Sequence, residues 1–355
     1  QRSLVGSEMC IRDRVYDIAR NTGAYLVEQL GVDRTPVAVF AGRKMVTPAY
    51  FLGVVYAGRP YAPIDASLPD KRIEKILENL CPRAIVADRE SLEHVESIVD
   101  ELAKSEGFDR PQIFIAEDIS CFEQVACADS NCKISESAGD HVTDSENDTD
   151  GGVVAGCAGK TDDSSLEKLA TVRRQMSMTD PLYIIYTSGS TGNPKGVMTS
   201  HLSLMTYINA YCDVMHIEES DVLGNQSPLD YIAAIRDIYL PLKTGCSTAI
   251  IPKEYFMEPN ALFDYMNEKK VSSVGWSVSA FTILTSLGAF EEVGLKSLRK
   301  ICFSGSVMPC RVLKKWQENL PEAHFVNQYG PTEATASCTY YSVDHTVEDD
   351  EVLPI

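Results

Sequence analysis

No run of apolar residues reaches the roughly 18 needed to cross a bilayer as a helix, and no stretch reads as a convincing secretory signal. Basic residues are few: 32 Lys and Arg stand against 51 Asp and Glu, a formal charge of −19. That sign repels polyanions, which argues against nucleic acid or an anionic membrane surface as partner. The eleven cysteines contain no Cys-x-x-Cys pair and no Cys/His cluster with zinc spacing. Reduced thiols in a cytoplasmic protein are therefore expected, with Cys302 in an apolar strand. No internal repeat is visible.

What remains is a chain of 355 residues, 44% hydrophobic, long enough for a large core divided into two or three subdomains. Apolar residues at helical spacing (Val15, Ala19, Ala24, Tyr25, Leu30) predict a helix over 15–30. Strands are expected at 37–40, 61–65 and 84–87, with helices over 45–56 and 71–80 between and after the first two. Further on, strands are expected at 247–251, 271–276, 298–303 and 323–327, with a helix over 259–269. Such alternation implies parallel sheets with helices on their faces.

Residues 113–167 carry thirteen acidic side chains against two lysines, or −11 of the net charge. The polar, acidic stretch 121–165 reads as a disordered insertion. A calcium site on Asp144, Glu146, Asp148 and Asp150 is the alternative, although the spacing of a calcium-binding hand is absent. Residues 1–14 read as a non-native, adapter-like segment to be set aside. The chain is expected to be a piece of a longer product. The division is thus 15–120, the insertion, and 166–355.

The most informative run is Tyr183-Ile-Ile-Tyr-Thr-Ser-Gly-Ser-Thr-Gly-Asn-Pro-Lys-Gly-Val197. A buried strand feeds a glycine and hydroxyl loop, which Lys195 follows. Backbone N–H groups freed by glycine, hydroxyl donors and a cation make a wrap for phosphate oxygens. A flexible surface loop is the plain alternative. The nucleotide-triphosphatase loop requires Gly-x-x-x-x-Gly-Lys-Ser/Thr, and here the sixth position is Pro194 and Gly196 follows Lys195.

A second run, Asn327-Gln-Tyr-Gly-Pro-Thr-Glu-Ala-Thr335, ends a strand with a polar residue, a ring, a Gly-Pro turn and Thr-Glu. Tyr329 can stack on a planar base and Asn327 can bond its edge. Thr332 can reach a phosphate and Glu333 can hold a hard divalent cation. A β-turn with a solvated glutamate is the plain alternative. Each motif falls where a strand gives way to a loop, the usual ligand position in open α/β sheets.

Together these runs resemble the acyl-adenylate-forming (AMP-binding) superfamily, nearest to nonribosomal peptide synthetase adenylation domains and D-alanine–carrier-protein ligases. The segment Val55–Asp65 resembles an early structural motif of the same family. The resemblance covers about 15–355. It implies an α/β fold, the large N-terminal domain of the adenylate-forming enzymes, with parallel sheets flanked by helices in two similar subdomains and without the C-terminal lid. Also lacking are the later Thr-Gly-Asp motif and the lid lysine, so weak or no adenylation by this chain alone is expected.

The resemblance further implies ATP and Mg²⁺ as cofactors. Phosphate binding falls to Thr187, Ser188, Gly189, Ser190, Thr191, Gly192, Lys195 and Thr332, and metal binding to Glu333 and Thr187. Adenine binding falls to Gly305, Ser306, Asn327, Gln328, Tyr329 and Gly330, with Ser306 where relatives carry glutamate. The implied reaction is ATP-dependent activation of a carboxylic acid, an amino acid in the first place. The acyl group then passes to the phosphopantetheine thiol of an acyl or peptidyl carrier protein. A coenzyme A ligase for a non-amino acid and a non-catalytic ATP-binding relative are the alternatives.

The implied substrate pocket comprises Asp230, Ile232, Ala233, Arg236, Trp276, Cys302, Ser304, Ala336 and Ser337, with Gln328 beside them. Residues 225–239 line up with the family's pocket helix, where relatives hold an aspartate against the substrate ammonium. Ile232 stands there instead, and isoleucine cannot pair a charge. Asp230 is the nearest substitute. Arg236 is either a partner for a substrate carboxylate or a surface arginine. His201, after the loop, either packs toward the acyl group or only starts a helix.

Overall fold

The computed structural model describes residues 7–120, 163–188 and 192–355, with side chains from 13 and from 167 in the helices that open the first two segments. Gly189, Ser190, Thr191, nearly all of the acidic insertion with its calcium reading, and residues 1–6 of segment 1–14 lie outside the described residues.

The first half runs α1 (Ser7–Leu30), β1 (Val37–Phe40), α2 (Thr47–Tyr56), β2 (Tyr61–Pro63), α3 (Asp70–Leu80), β3 (Ala84–Ala87), α4 (Leu92–Leu102), β4 (Gln112–Ile115) and α5 (Ala116–Ser120). After the insertion come α6 (Asp163–Gln175), β5 (Pro181–Ser188), β6 (Pro194–Ser200) and α7 (His201–Met215). The second half continues with β7 (Val222–Asn225), α8 (Ala234–Thr244), β8 (Ser247–Ile250), α9 (Pro259–Glu268), β9 (Ser273–Ser277) and α10 (Val278–Ser286). It ends with β10 (Lys300–Ser304), α11 (Cys310–Asn319), β11 (His324–Tyr329) and β12 (Thr339–Val343).

The strands form two six-stranded sheets, ordered β4-β3-β1-β2-β5-β6 and β12-β11-β10-β9-β7-β8. Each is parallel except for one antiparallel edge strand, β6 in the first and β12 in the second. The expectation of two similar parallel-sheet subdomains holds.

Strand parity explains how the halves join. On β1, Val37 and Val39 point into the largest apolar cluster, while Ala38 and Phe40 point into a smaller one with α3 and α4. Residues buried on both faces are what a parallel strand covered by helices requires. The largest cluster contains side chains of α1, α2, α7 and α8 together with Val37 of the first sheet and Cys302 and Val326 of the second. One apolar layer therefore lies between the two sheets. The outer face of the second sheet packs on α9, α10 and α11 around Trp276, Phe281, Phe303 and Trp316.

Arg43, just past β1, clasps the halves. Its guanidinium donates to the Asn225 carbonyl and Oδ1, each at 2.7 Å, and to the Ile251 carbonyl at 2.5 Å.

Candidate nucleotide and acyl site

β5 and β6 make a hairpin whose register pairs Thr187 with Lys195 and Ser188 with Pro194. Pro194-Lys195-Gly196 is thus the start of a strand, and the connecting loop is only 189–193. Lys195 is exposed, as are Ser188 and Gly192. Helix α3 braces the hairpin from outside. Lys75 Nζ donates to Asn193 Oδ1 at 3.0 Å, and the Tyr186 hydroxyl donates to Asn79 Oδ1 at 2.8 Å. Neither Lys75 nor Asn79 carries any local signal of this role, since the pairing spans more than a hundred residues.

The second motif leaves β11 at Tyr329, makes a one-turn 3-10 helix (Thr332–Ala334), and returns as β12. Thr335 and Ala336 both adopt the left-handed region (φ 56° and 73°), and Cys338 N–H closes the loop on the Tyr329 carbonyl at 2.9 Å. Two consecutive non-glycine residues in that region are costly and mark a tightly determined loop. A Cβ on Gly330 would lie 2.4 Å from Ser337 Cα, so this backbone crossing admits only glycine.

The 3-10 turn lies against β6, which brings the Lys195 strand and the Glu333 turn to one side of the molecule. Glu333 is exposed and has no hydrogen bond or ion pair among the described residues. An unengaged carboxylate beside a phosphate-shaped hairpin suits Mg²⁺, which takes one or two carboxylates and keeps its other positions for water and phosphate. Thr187 Oγ1 instead faces the Lys195 carbonyl at 3.5 Å.

Parity on the second sheet sorts the remaining candidates. Registers align Gly275, Cys302 and Val326 on the inner face, and Trp276, Phe303 and Asn327 on the outer face. Cys302, Ser304 and Gln328 therefore share the inner face with Ile232, and Ala336 packs against the same cluster. Ser337 Oγ donates to Gln328 Oε1 at 3.2 Å. Gln328, expected at adenine, is held in the pocket group.

Trp276 does not belong to that group. It is buried on the outer face, stacked edge-on with Phe256 and donating from its indole N–H to the Gly224 carbonyl at 2.8 Å. A one-residue change of parity moves a side chain to the other side of a sheet, and Gly275 is the residue that faces inward. Asn327 and Tyr329 are on the outer side. Asn327 donates to the Pro354 carbonyl at 2.7 Å, while Tyr329 is half exposed and free to stack. Gly305 and Ser306 are exposed at the end of β10.

The segment expected as a helix start behaves differently. Residues 226–233 form turns and the helix begins at Ala234, so Asp230, Ile232 and Ala233 precede it. Ile232 is buried. Asp230 points away into a separate crevice of about 30 Å³ with Asp65, Arg43 and Lys253. Burial and the nearby Asp65 raise its pKa. Asp230 and the Cys302 face are therefore apart.

Arg236 is not at the surface; it is 4% exposed. Its Nε lies 3.4 Å from Asp237 Oδ1, and its guanidinium sits 5.9 Å from the Tyr211 ring centre. Burial works against its charge, but Asp237, Tyr211, Tyr207 and Cys302 together more than offset this and hold its pKa above the ordinary value. A Cβ on Gly275 would come within 2.3 Å of Nε. Burial pushes the neighbouring Cys302 thiol up to about 11, which keeps it neutral.

His201 begins α7 at the end of the hairpin remote from the loop, where Ser200 pairs with Pro181. Burial lowers its pKa against the opposing pull of Asp180. An apolar cavity of about 550 Å³ opens between α1, α2 and α8 and is lined by none of the expected site residues.

The AMP-binding enzyme family matches residues 13–354, and the chain belongs to that family. It is 28% identical over 325 residues to a D-alanine–D-alanyl carrier protein ligase of Bacillus cereus (strain Q1), covering 91% of this chain and 54% of the relative. The chain thus spans about half the length of the curated relatives it matches. Among solved structures, the Vibrio cholerae adenylation domain AlmE in complex with glycyl-adenosine-5'-phosphate gives a TM-score of 0.69 at 20% identity. That match covers 96% of this chain and 58% of AlmE. The α-methyl-L-serine-AMP-bound nonribosomal peptide synthetase FmoA3 gives 0.70 at 18% identity, covering 94% and 31%. At these identities the likeness establishes the fold alone, the one this chain shares with those adenylation domains.

Proposed function

We propose that the protein to which this chain belongs is an AMP-forming ligase. It activates a carboxylic acid with ATP as an acyl-adenylate and passes the acyl group to a carrier-protein phosphopantetheine thiol. The observation that carries this reading is the contact of β6 with the 3-10 turn. It sets a phosphate-type hairpin and an unengaged glutamate side by side, as an ATP cleft requires. Family membership and the carrier-protein ligases among the relatives support it.

In this reading the acid's carboxylate attacks the α-phosphorus and pyrophosphate leaves. Negative charge grows on the leaving group, and preorganised positive charge and N–H donors are the largest source of rate. The hairpin residues Thr187, Ser188 and Gly192, with Gly189, Ser190 and Thr191 between them, wrap the phosphates while Lys195 and Thr332 supply charge and a hydroxyl. Tyr329 offers its half-exposed ring to adenine, and Gly305, Ser306 and Gly330 are the other residues this reading assigns to it. Mg²⁺, when bound, neutralises the departing phosphates, and Glu333 is the side chain that would hold it.

Titration of the chain with ATP, with and without Mg²⁺, tests this. Binding is expected to be weak, to strengthen with Mg²⁺, and to fall about tenfold in Lys195→Ala, a loss of about 1.4 kcal/mol. Absence of any nucleotide binding by well-folded protein would defeat the proposal.

A further inference from the structure

We propose that Arg236 and Tyr207 form the closed end of the acyl site and receive a second carboxylate, so that the acid activated is a dicarboxylic acid without an α-ammonium group. This rests on the adenylate-forming reading and narrows its substrate class.

The first ground is an unmet hydrogen-bonding demand. A guanidinium offers five N–H donors. Among the described residues, the one charged partner of Arg236 is Asp237, at 3.4 Å, and Nε makes no hydrogen bond. The Tyr207 hydroxyl, 7% exposed by residue, has no partner of good geometry and lies within reach of the Arg236 guanidinium. Buried donors left unpaired cost about 1–3 kcal/mol each, and more when charged. A buried guanidinium with one long carboxylate contact and an unbonded Nε, beside a hydroxyl that has no acceptor, points to an acceptor that arrives with the substrate.

The second ground is charge. Asp237 Oδ2 accepts from Asn225 Nδ2 at 2.8 Å, and Asn225 in turn accepts from Arg43. Asp237 is therefore shared between Arg236 and the Asn225–Arg43 link, while Arg43 is itself also faced by Asp65, Asp230 and Glu254. Arg236 is left with part of one carboxylate, and bidentate pairing with Arg is the strongest form a carboxylate contact takes.

The third ground is position. Arg236 packs on Gly275, in register with Cys302, and Ser304 lies two residues beyond Cys302 on the same face. That places the guanidinium roughly 7 Å deeper than the strand end where the loops gather. None of the aligned residues on this face, Gly275, Ser277, Cys302, Ser304, Val326 and Gln328, is acidic. Asp230 lies in a different crevice and Ile232 is apolar. The one carboxylate beside Arg236, Asp237, is already engaged by Arg236 and Asn225, so an α-ammonium would find no free counter-ion there among the described residues, and an unpaired buried charge is strongly disfavoured.

The experiment measures binding of stable acyl-adenylate analogues to the whole chain by calorimetry. The probes are sulfamoyl-adenosines carrying succinyl, glutaryl, butanoyl, pentanoyl and alanyl groups, with AMP as reference. Succinyl or glutaryl is expected to bind at least tenfold tighter than the butanoyl or pentanoyl group of matching length, and alanyl no better than butanoyl. Arg236→Gln is expected to level each matched pair. Tyr207→Phe, which removes only the hydroxyl and keeps the packed ring, is expected to shrink the preference at least threefold.

AMP binding with no preference for the dicarboxylate, or with alanyl the tightest, would overturn the inference and leave the ligase reading intact. A preference untouched in Tyr207→Phe and in folded Arg236→Gln would overturn it as well. Loss of all binding, AMP included, would instead bring down the adenylate-forming reading on which it stands.

Discussion

Gly275→Ala tests the buried arginine without touching any charged or polar group. The new methyl carbon would stand 2.3 Å from Arg236 Nε, 2.4 Å from Cζ and 2.6 Å from Nη2. An exposed arginine would swing away at little cost. This one is enclosed by Tyr207, Tyr211, Cys302 and the sheet, so the guanidinium moves only by opening its pair with Asp237. Overpacking alone costs about 1–3 kcal/mol, and breaking a buried ion pair about 3–5 kcal/mol. A loss of about 3 kcal/mol is expected, which for a chain of this length, at about 2.1 cal/mol/K of unfolding entropy per residue, lowers the melting temperature by about 4 °C.

A double-mutant cycle isolates the cause. Arg236→Ala alone should be destabilising, because it strands Asp237 in the core. Adding Gly275→Ala to it should then cost no more than about 0.5 kcal/mol, since the clash has gone. The coupling between the two positions should reach about 2 kcal/mol or more. Thermal or urea denaturation of the four proteins reads this directly. If Gly275→Ala alone is silent, or if the two changes simply add, the guanidinium is not where the packing puts it.

Other consequences are open to measurement. Asp221 is buried under Lys300 (2.6 Å), Arg299 and Ser272 (each 2.7 Å). Burial works to raise its pKa, but these donors and the Glu218 N–H win, so it lies below the usual carboxylate range. A depressed folded pKa stabilises above the unfolded value near 3.8 and is lost as pH falls through the folded value. Urea midpoints from pH 7 to 2 should therefore drop on the acid side. They should drop less steeply in Asp221→Asn, which is already weaker by about 3 kcal/mol at pH 7; parallel profiles would refute this. Glu333→Gln should abolish most of the strengthening of ATP binding by Mg²⁺ while leaving the melting temperature within about 2 °C, since that side chain engages nothing among the described residues. Lys75→Ala should weaken ATP binding about two- to fivefold through a looser hairpin, at a stability cost below about 1 kcal/mol for an exposed contact; an unchanged affinity would show that the brace is incidental.

Much of the chain was legible from residue order. A buried run between turn residues specifies a strand wherever it lies, so Val37–Phe40 and Ala84–Ala87 are located to the residue. Boundaries slipped where the signal is weakest, as at β9, expected to start at 271 and found at Ser273. The two glycine-bearing motifs were legible for the same local reason, because backbone turns of that kind need those residues.

What sequence order could not supply was facing and meeting. Trp276 and Gly275 are neighbours in the chain, yet they lie on opposite sides of a sheet, and only the pairing of β9 with β10 fixes which one turns inward. The same holds for Asp230 and Arg236, six residues apart, of which one enters a crevice beside Asp65 and the other is sealed among two tyrosines. The hairpin at 186–196 and the turn at 332–334 carry their own shapes in their residues, but their contact arises from the stacking of two sheets across a shared apolar layer. Local chemistry chose the parts because backbone geometry is a short-range matter; which parts touch was decided by long-range burial, which no stretch of a dozen residues contains.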